Sequence, residues 1–313
     1  MALDDLSSYS VEWVTPLTTT YRGWEVYEIP PNSQGIAALI MLNLIEQFPM
    51  RTFGLGSADA LHVLIEAKKL AYADMQRHVA DPRFTTVPVE PLLSKAYAWE
   101  RAQLIDKDRA AMNAVAGLLP EHGGDTTYLC AVDADGNIAS LIQSNFASFG
   151  SGVVPPGCGF VLQNRGGLFT LDRSHPNAVA PRKRPLQTVI PAFMKRGQLR
   201  FGLGVMGGWN QPQAHAQVIS HIVDFGLNVQ EALEAPRFAK LTFPGTDVMI
   251  ESRVSEDARK ELARRGHTLD LLGPFSNMMG GGQIVLRDAA AGVNYAASDP
   301  RKDGAAVPEP TRH

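Results

Sequence analysis

The sequence predicts an α+β protein, helical in its first third and strand-rich after residue 126. Three observations carry that prediction. Two long apolar stretches between residues 36 and 79 have the length and spacing of helices. From residue 127 onward, short apolar and β-branched runs are separated by glycine-containing turns. Between the two, residues 106–125 turn charged, then small, then glycine-containing, as an exposed and mobile connection does. Hydrophobic residues make up 45% and charged residues 19% of the 313, so the chain has the apolar material to bury a core. At ~150 residues per domain, the length suggests two domains or one composite domain.

Taken in order, Trp24-Glu25-Val26-Tyr27-Glu28-Ile29 alternates as a strand and ends at Pro30-Pro31. Residues 36–48 are apolar enough for a buried helix, and residues 57–79 form a second with Leu61, Leu64, Ile65 and Leu70 on one face. Ser94 caps a third helix through Ile105. Residues 127–132 and 138–143 make a hairpin around Asp133-Ala134-Asp135-Gly136-Asn137. Further strands are expected at 153–154, 160–162 and 199–201. A helix follows Pro212 and is stopped by Gly226 after Phe225. Asn228 and Glu231 have capping-box spacing for a short helix ending at Pro236. Residues 249–251 and 283–286 are strand candidates flanking a helix over 255–265.

Composition excludes several classes. The net charge is −3, and no Lys/Arg cluster offers a face that tracks phosphates, so no nucleic-acid partner is expected. The densest basic run, Arg182-Lys183-Arg184, is broken by Pro181 and Pro185 and reads as a solvated or ion-paired loop. Cys130 and Cys158 make neither a disulfide framework nor a zinc site. No apolar stretch approaches the ~20 residues of a membrane span. The first residues lack a basic region followed by an apolar stretch, which leaves the compartment open between cytoplasmic and periplasmic or secreted. Gly202-x-Gly204-x-x-Gly207 has dinucleotide-fingerprint spacing, but Asp224 falls at a helix end where the fingerprint needs an acid ending a second strand. Asp133-x-Asp135-x-Asn137 lacks the glycine of a calcium loop. His62 and Glu66 share a helix face without a second histidine, and read as a surface pair.

Gly123-Gly124-Asp125-Thr126-Thr127 remains. A threonine opening a strand is by default a β-branched residue suited to a pleated sheet. Its setting also suits chemistry. A hydroxyl is a weak nucleophile unless a base takes its proton, and the α-amine of a terminal threonine is such a base. An internal threonine must first attack the preceding carbonyl, and flexible glycines let the Asp125 carbonyl be presented to it. The pair Gly207-Gly208 offers unhindered N–H groups for a tetrahedral oxyanion, although a glycine pair is ordinarily a turn.

Asp125-Thr126-Thr127-Tyr128, Val132-Asp133-Ala134-Asp135-Gly136-Asn137 and Phe149-Gly150-Ser151-Gly152-Val153 resemble the small-chain start of the gamma-glutamyltransferase (gamma-glutamyl transpeptidase) family. The resemblance continues through Lys183-Arg184-Pro185-Leu186, Gly207-Gly208, Asp224-Phe225-Gly226-Leu227-Asn228-Val229, Glu234-Ala235-Pro236-Arg237-Phe238 and Ser298-Asp299-Pro300-Arg301. Upstream, Pro30-Pro31-Asn32-Ser33-Gln34-Gly35 is similar to the late large-chain region. The resemblance implies an N-terminal nucleophile hydrolase with an αββα four-layer sandwich, matured by cleavage between Asp125 and Thr126. Residues 1–125 would be the C-terminal part of the large chain, mostly helical, and 126–313 the small chain carrying the nucleophile. Family members carry a substantial region before the position of Met1, so the sandwich is expected to be incomplete at its N-terminus. Mapped by position, the nucleophile is Thr126, its supporting hydroxyl is Ser144, and the oxyanion glycines are Gly207 and Gly208.

Substrate-binding positions depart from the family pattern. Leu168 stands where the family holds an α-ammonium with aspartate, Arg165 replaces an amide, and Gln187-Thr188 replaces paired serines that grip a carboxylate. The family asparagine near Ser144 falls at Phe146, with Asn145 one residue off. Leu168 cannot offset an ammonium, and Arg165 prefers a carboxylate. The resemblance implies amide hydrolysis or acyl transfer on a small-molecule gamma-glutamyl or glutathione-type amide, to water or an amine, with no metal or cofactor. Its alternatives are an acylase for dicarboxylic (glutaryl or cephalosporin-type) amides and an unprocessed, inactive fragment.

Overall fold

The computed structural model describes residues 2–112 and 124–309. Among these, the helices are α1 (Leu3–Ser7), α2 (Gly35–Ile45), α3 (Met50–Phe53), α4 (Ala58–His78), α5 (Val89–Leu93), α6 (Lys95–Ala102), α7 (Gln211–Val223), α8 (Val229–Glu234) and α9 (Glu256–Arg264). The strands are β1 (Leu17–Tyr21), β2 (Trp24–Glu28), β3 (Gly124–Val132), β4 (Ile138–Ala147), β5 (Ala192–Arg196), β6 (Leu199–Val205), β7 (Phe238–Ala239), β8 (Asp247–Glu251), β9 (Thr268–Leu272), β10 (Gly282–Asp288) and β11 (Val293–Ser298).

Six strands form one antiparallel sheet in the order β1-β2-β5-β6-β10-β11. Arg22-Gly23 closes β1 onto β2 as a two-residue turn with both φ positive, at 48° and 81°. One face of the sheet is covered by helices. Every residue of α2 is buried, as its all-round apolar sequence requires, because α2 lies among β1, β2, α4 and α7. Ser57, Ser94 and Ser255 each cap a helix with the side-chain oxygen, Asn228 and Glu231 form the capping box, and Gly226 follows α7 at φ 70°. A smaller sheet, β7-β8-β9, has β8 and β9 parallel. Its edge is joined to the chain's end by a buried network: Arg237 pairs with Asp299, and Arg301 bonds both Asp299 and Glu251. That network accounts for two of the motifs that carry the family resemblance.

The other face of the six-stranded sheet receives the β3–β4 hairpin, which turns through residues 133–137 with Gly136 at φ 85°. Glycines in β6 let it come close. A Cβ added at Gly204 would stand 2.5 Å from the Tyr128 ring, and one at Gly202 would stand 2.6 Å from Ile138 Cγ2. Leu203 and Val205, at the alternate positions, are buried in the core that the helices share. The layers among the described residues are therefore helices, six-stranded sheet and hairpin. The outward face of the hairpin, with Leu129 and Leu141, is exposed.

Two expectations need correction. No strand forms at 153–154 or 160–162. The segment closes on itself through Leu162 N–H to Val153 O (2.9 Å) and Ser151 N–H to Leu162 O (2.8 Å), but positive φ at Gly150, Gly152, Gly157 and Gly159 bends it too often for a ladder. Of the expected mobile connection, residues 113–123 lie outside the described residues, whereas 106–112 are fixed: Ala110 N–H donates to Arg265 O, Lys69 Nζ to Ala111 O, and Gly245 N–H to Met112 O.

Gly204→Ala is expected to lower stability by about 1–3 kcal/mol, because the Tyr128 ring must be displaced from a packed layer. Urea denaturation of the variant checks this, and an unchanged midpoint would show that the hairpin yields freely.

Candidate active site

Thr126 stands opposite Ser144 in the hairpin. The ladder is irregular between Asp125 and Thr126: Asp125 pairs with Phe146, so Asn145 is bulged out. Phe146 absorbs the bulge at φ 80°, a region that costs a non-glycine residue about 1–3 kcal/mol. It is buried there, while Asn145 stays exposed. Thr126 is buried, and its Oγ1 donates to Ser144 Oγ at 3.0 Å; the same Ser144 oxygen accepts Phe146 N–H at 2.8 Å.

Arg165 opens a 3₁₀ turn, Arg165–Leu168, and is buried beside this pair. Its Nη1 donates to the Ser144 carbonyl at 2.9 Å, Nε and Nη2 both reach Thr188 Oγ1 at 3.3 Å, and its guanidinium lies over the Phe146 ring. Those partners are all neutral, and burial alone pulls its pKa down to about 10, so it stays charged at neutral pH without a carboxylate beside it among the described residues. Leu168 is buried, and its carbonyl accepts Asn177 Nδ2 at 2.7 Å. Thr188 is fully buried; Gln187 is held through its backbone, accepting Gln34 N–H and donating to Asn32 O.

β6 leads directly into Gly207 and Gly208, at φ 135° and 57°, where any other residue is strained. β3 packs against the short turn Gly208–Asn210 that follows, which brings the Thr126 strand beside these glycines. The turn is pinned on several sides. Asn210 N–H bonds Gly207 O at 3.0 Å, Gln34 Nε2 bonds Gly208 O at 2.8 Å, and Tyr72 OH bonds Trp209 O. Val205 N–H, beyond the last residue of β6 that β5 pairs, is taken by His215 Nε2 at 3.0 Å. That bond makes Nδ1 the protonated nitrogen, and it faces Glu28 Oε1 at 2.8 Å. Both residues are buried, and burial raises the Glu28 pKa. Trp209 lies edge-on to Phe146, closing the site from the other side. Sequence reasoning singled out Thr126, Ser144, Arg165, Gln187, Thr188, Gly207 and Gly208. It passed over Gln34, Trp209, His215 and Glu28, whose roles depend on contacts distant in sequence.

A second cluster corrects the surface-pair reading of His62 and Glu66: both are buried, and His267 joins them. The three ligand atoms lie within 4.8 Å of one another, which suits a metal in spacing. Their hydrogen bonds argue otherwise. Lys69 Nζ sits 2.6 Å from Glu66 Oε1, placing a cation where a metal would go. His62 Nε2 faces the Asp106 carbonyl at 2.8 Å, so it carries the proton, and its bare Nδ1 takes N–H from His267 Nε2 at 2.7 Å. The cluster ties α4 to residues 106–112.

Solved structures that match this arrangement of helices and sheets are of the N-terminal nucleophile hydrolase type. The chain belongs to the gamma-glutamyltranspeptidase family, whose sequence model matches residues 1–309. It is 36% identical over 311 residues to the glutathione hydrolase-like YwrD proenzyme of Bacillus subtilis, covering 98% of this chain and 58% of that protein. The crystal structure of cephalosporin acylase from Bacillus halodurans superposes with a TM-score of 0.87 at 43% identity, over 97% of this chain and 55% of the acylase. A gamma-glutamyltranspeptidase structure from Pseudomonas nitroreducens, complexed with L-DON, matches with a TM-score of 0.51 at 29% identity, over 58% of this chain and 98% of that one. The chain thus spans a little over half the length of the curated relative it matches. Among the described residues no helix is long and apolar enough to cross a membrane.

Burial holds the His62 pKa below its ordinary value and that of His267 at about 3. In the unfolded chain both return to ~6.5. As pH falls below that value the unfolded chain takes up protons first, so the stability these residues contribute is complete above ~6.5 and is lost toward about 3. The urea midpoint is therefore expected to drop between about pH 7.5 and pH 5, and His267→Asn to show a smaller drop. Equal drops in both proteins would remove His267 as a cause.

Proposed function

We propose that this chain carries the catalytic half of an amidohydrolase or acyl transferase that uses Thr126 as a self-exposed N-terminal nucleophile. The observation that carries the reading is the buried Thr126 hydroxyl on Ser144 Oγ at 3.0 Å, in a strand packed on the Gly207-Gly208 turn. In the first step Thr126 Oγ adds to the Asp125 carbonyl, the Asp125–Thr126 C–N bond breaks as the hydroxyl proton passes to the nitrogen, and the resulting ester is hydrolysed by water to an Asp125 carboxyl and a Thr126 with a free hydroxyl and α-amine. The register break between Asp125 and Thr126 supports this, since the ladder is interrupted at the bond to be cut. So does the Pseudomonas nitroreducens match: 58% of this chain fills 98% of that one, a share close to that of the segment from Thr126 onward.

In turnover the amine accepts the hydroxyl proton and Oγ adds to the substrate carbonyl. The Gly207 and Gly208 N–H groups hold the resulting oxyanion. The amine proton passes to the leaving nitrogen, an ester forms on Thr126, and water or an amine releases the acyl group. No metal or cofactor enters these steps.

Arg165 favours the dicarboxylic acylase over a gamma-glutamyl specificity. Among the described side chains it is a buried cation bonded only to neutral groups, so a carboxylate at the far end of the acyl chain would supply a bidentate partner. Leu168 offers no charge to an α-ammonium, and burying an unpartnered ammonium costs several kcal/mol, of order 2 or more. The likeness to the Bacillus halodurans cephalosporin acylase points the same way.

Full-length wild type is expected to yield two chains, the second beginning at Thr126, and Thr126→Ala to stay in one piece by mass spectrometry. Two chains in the variant would show that Thr126 does not make the cut, and an intact wild type after long incubation would leave an uncleaved interaction module as the better reading. Among substrates, glutaryl-anilide should be preferred to gamma-glutamyl-anilide. Leu168→Asp with Arg165→Gln should shift the kcat/KM ratio toward the glutamyl substrate by about tenfold, or ~1.4 kcal/mol. Should wild type already favour the glutamyl substrate and the double variant change nothing, these two positions do not set specificity.

A further inference from the structure

A continuous run of hydrogen bonds encircles the candidate site. Thr126 Oγ1 bonds Ser144 Oγ, the Ser144 carbonyl accepts Arg165, and Arg165 bonds the Thr188 hydroxyl. The Thr188 carbonyl accepts Gln34 Nε2 at 2.7 Å, and the same nitrogen donates to the Gly208 carbonyl at 2.8 Å. Gln34 is thus the group that joins the Arg165–Thr188 side to the glycine turn.

Its surroundings fix its orientation. Gln34 is fully buried at the N-terminal end of α2, and its own N–H is tied to Gln187 O at 3.1 Å. Two carbonyl oxygens within hydrogen-bonding distance of one nitrogen require the NH2 end there, one hydrogen for each. Oε1 is left buried with no partner among the described residues. A buried acceptor without a partner costs stability.

The turn needs such a hold. Gly207 and Gly208 adopt positive φ and are the least restrained residue type, yet N–H groups that stabilise an oxyanion must be aimed before the reaction begins. Asn210 N–H fixes the peptide plane between Gly207 and Gly208, which carries the Gly208 N–H, and Gln34 fixes the plane on the other side of the Gly208 Cα through the Gly208 carbonyl, so that the two bonds together restrain the backbone torsions that turn that N–H.

We propose that Gln34 is a positioning residue that locks the oxyanion turn to the acyl-binding side of the site, so that anchoring the acyl group and aiming the N–H donors are one rigid arrangement. The inference rests on the function proposed above. It is tested in the full-length protein with Gln34→Met, which keeps the length and removes both donors, and Gln34→Glu, which sets a carboxylate against two carbonyls. With glutaryl-anilide, Gln34→Met should lower kcat per folded molecule by about tenfold to a hundredfold, with KM changed by less than about threefold, because donors misaimed by an ångström or less act mainly on the transition state. For Gln34→Glu, activity relative to wild type should rise as pH falls, since the carboxyl takes up a proton and regains one donor; the same ratio for Gln34→Met should stay flat. Wild-type kcat in Gln34→Met, a loss that only tracks the folded fraction, or a flat ratio for Gln34→Glu would overturn the inference while Thr126-dependent turnover stands. Absence of Thr126-dependent turnover in wild type would overturn the function, and this inference with it.

Discussion

The close approach of the β3–β4 hairpin to the six-stranded sheet is the constraint on which the rest of the candidate site depends. Sheets that face each other stand about 10 Å apart when ordinary side chains fill the gap. Here β6 gives up its side chains at Gly202 and Gly204, and Ile138 and Tyr128 from the hairpin occupy the space. Tyr128 is two residues from Thr126, so seating its ring over Gly204 sets the height of the Thr126 hydroxyl above the sheet. The same strand then delivers Gly207 and Gly208. One stretch of backbone therefore fixes both the Thr126 hydroxyl and the glycine turn beside it. The first two glycines of the spacing that mimics a dinucleotide fingerprint are explained by this packing, and the third, Gly207, by its positive φ in the turn.

Electrostatics within the site follow from what surrounds each charge. Arg165 is held by a carbonyl, a hydroxyl and an aromatic face, which orient the guanidinium without neutralising it. Contrast Arg301, equally buried but paired with Asp299 and Glu251. The second arrangement is closed and structural; the first leaves bonding capacity that only an anion can use well. Glu28 and His215 show a third solution, where an imidazole passes the hold of a buried acid on to the backbone N–H of Val205.

What the sequence disclosed and what it hid divide along the range of the interactions. Caps at Ser94 and Asn228, helix starts at Ser57 and Ser255, the stop at Gly226 and the turn at Gly136 are local events, and the structure has each of them. β1 escapes because only Thr19 and Tyr21 of its five residues are buried and its pairing is set by a turn at Arg22-Gly23. The apolar runs at 153–154 and 160–162 look like strands in isolation but have no partner strand among the described residues. His62 and Glu66 look like a surface pair until His267, more than two hundred residues later, arrives beside them. In the site, Thr126 and the Gly207-Gly208 pair announce themselves by chemical type and setting, whereas Ser144, Arg165 and Thr188 are found only through the family resemblance. Gln34 and Trp209 do not announce themselves, since an amide or an indole signals nothing until the carbonyls and rings around it are known.

The order of strands in the large sheet has a mechanical consequence. β1 and β2, from before residue 124, pair with β5 from after it, and α2 packs against α7. Tyr21 and Arg22 clasp Asp224, while Arg51 holds the backbone of Val223 and Asp224. The two stretches are woven rather than tethered. A nick at residue 125 would therefore leave the core intact, and the pieces would behave as a heterodimer whose dissociation demands unfolding. Cohesion of such a dimer would owe nothing to the linker, and because separation is coupled to unfolding, its melting would become dependent on protein concentration where that of the uncut chain is not.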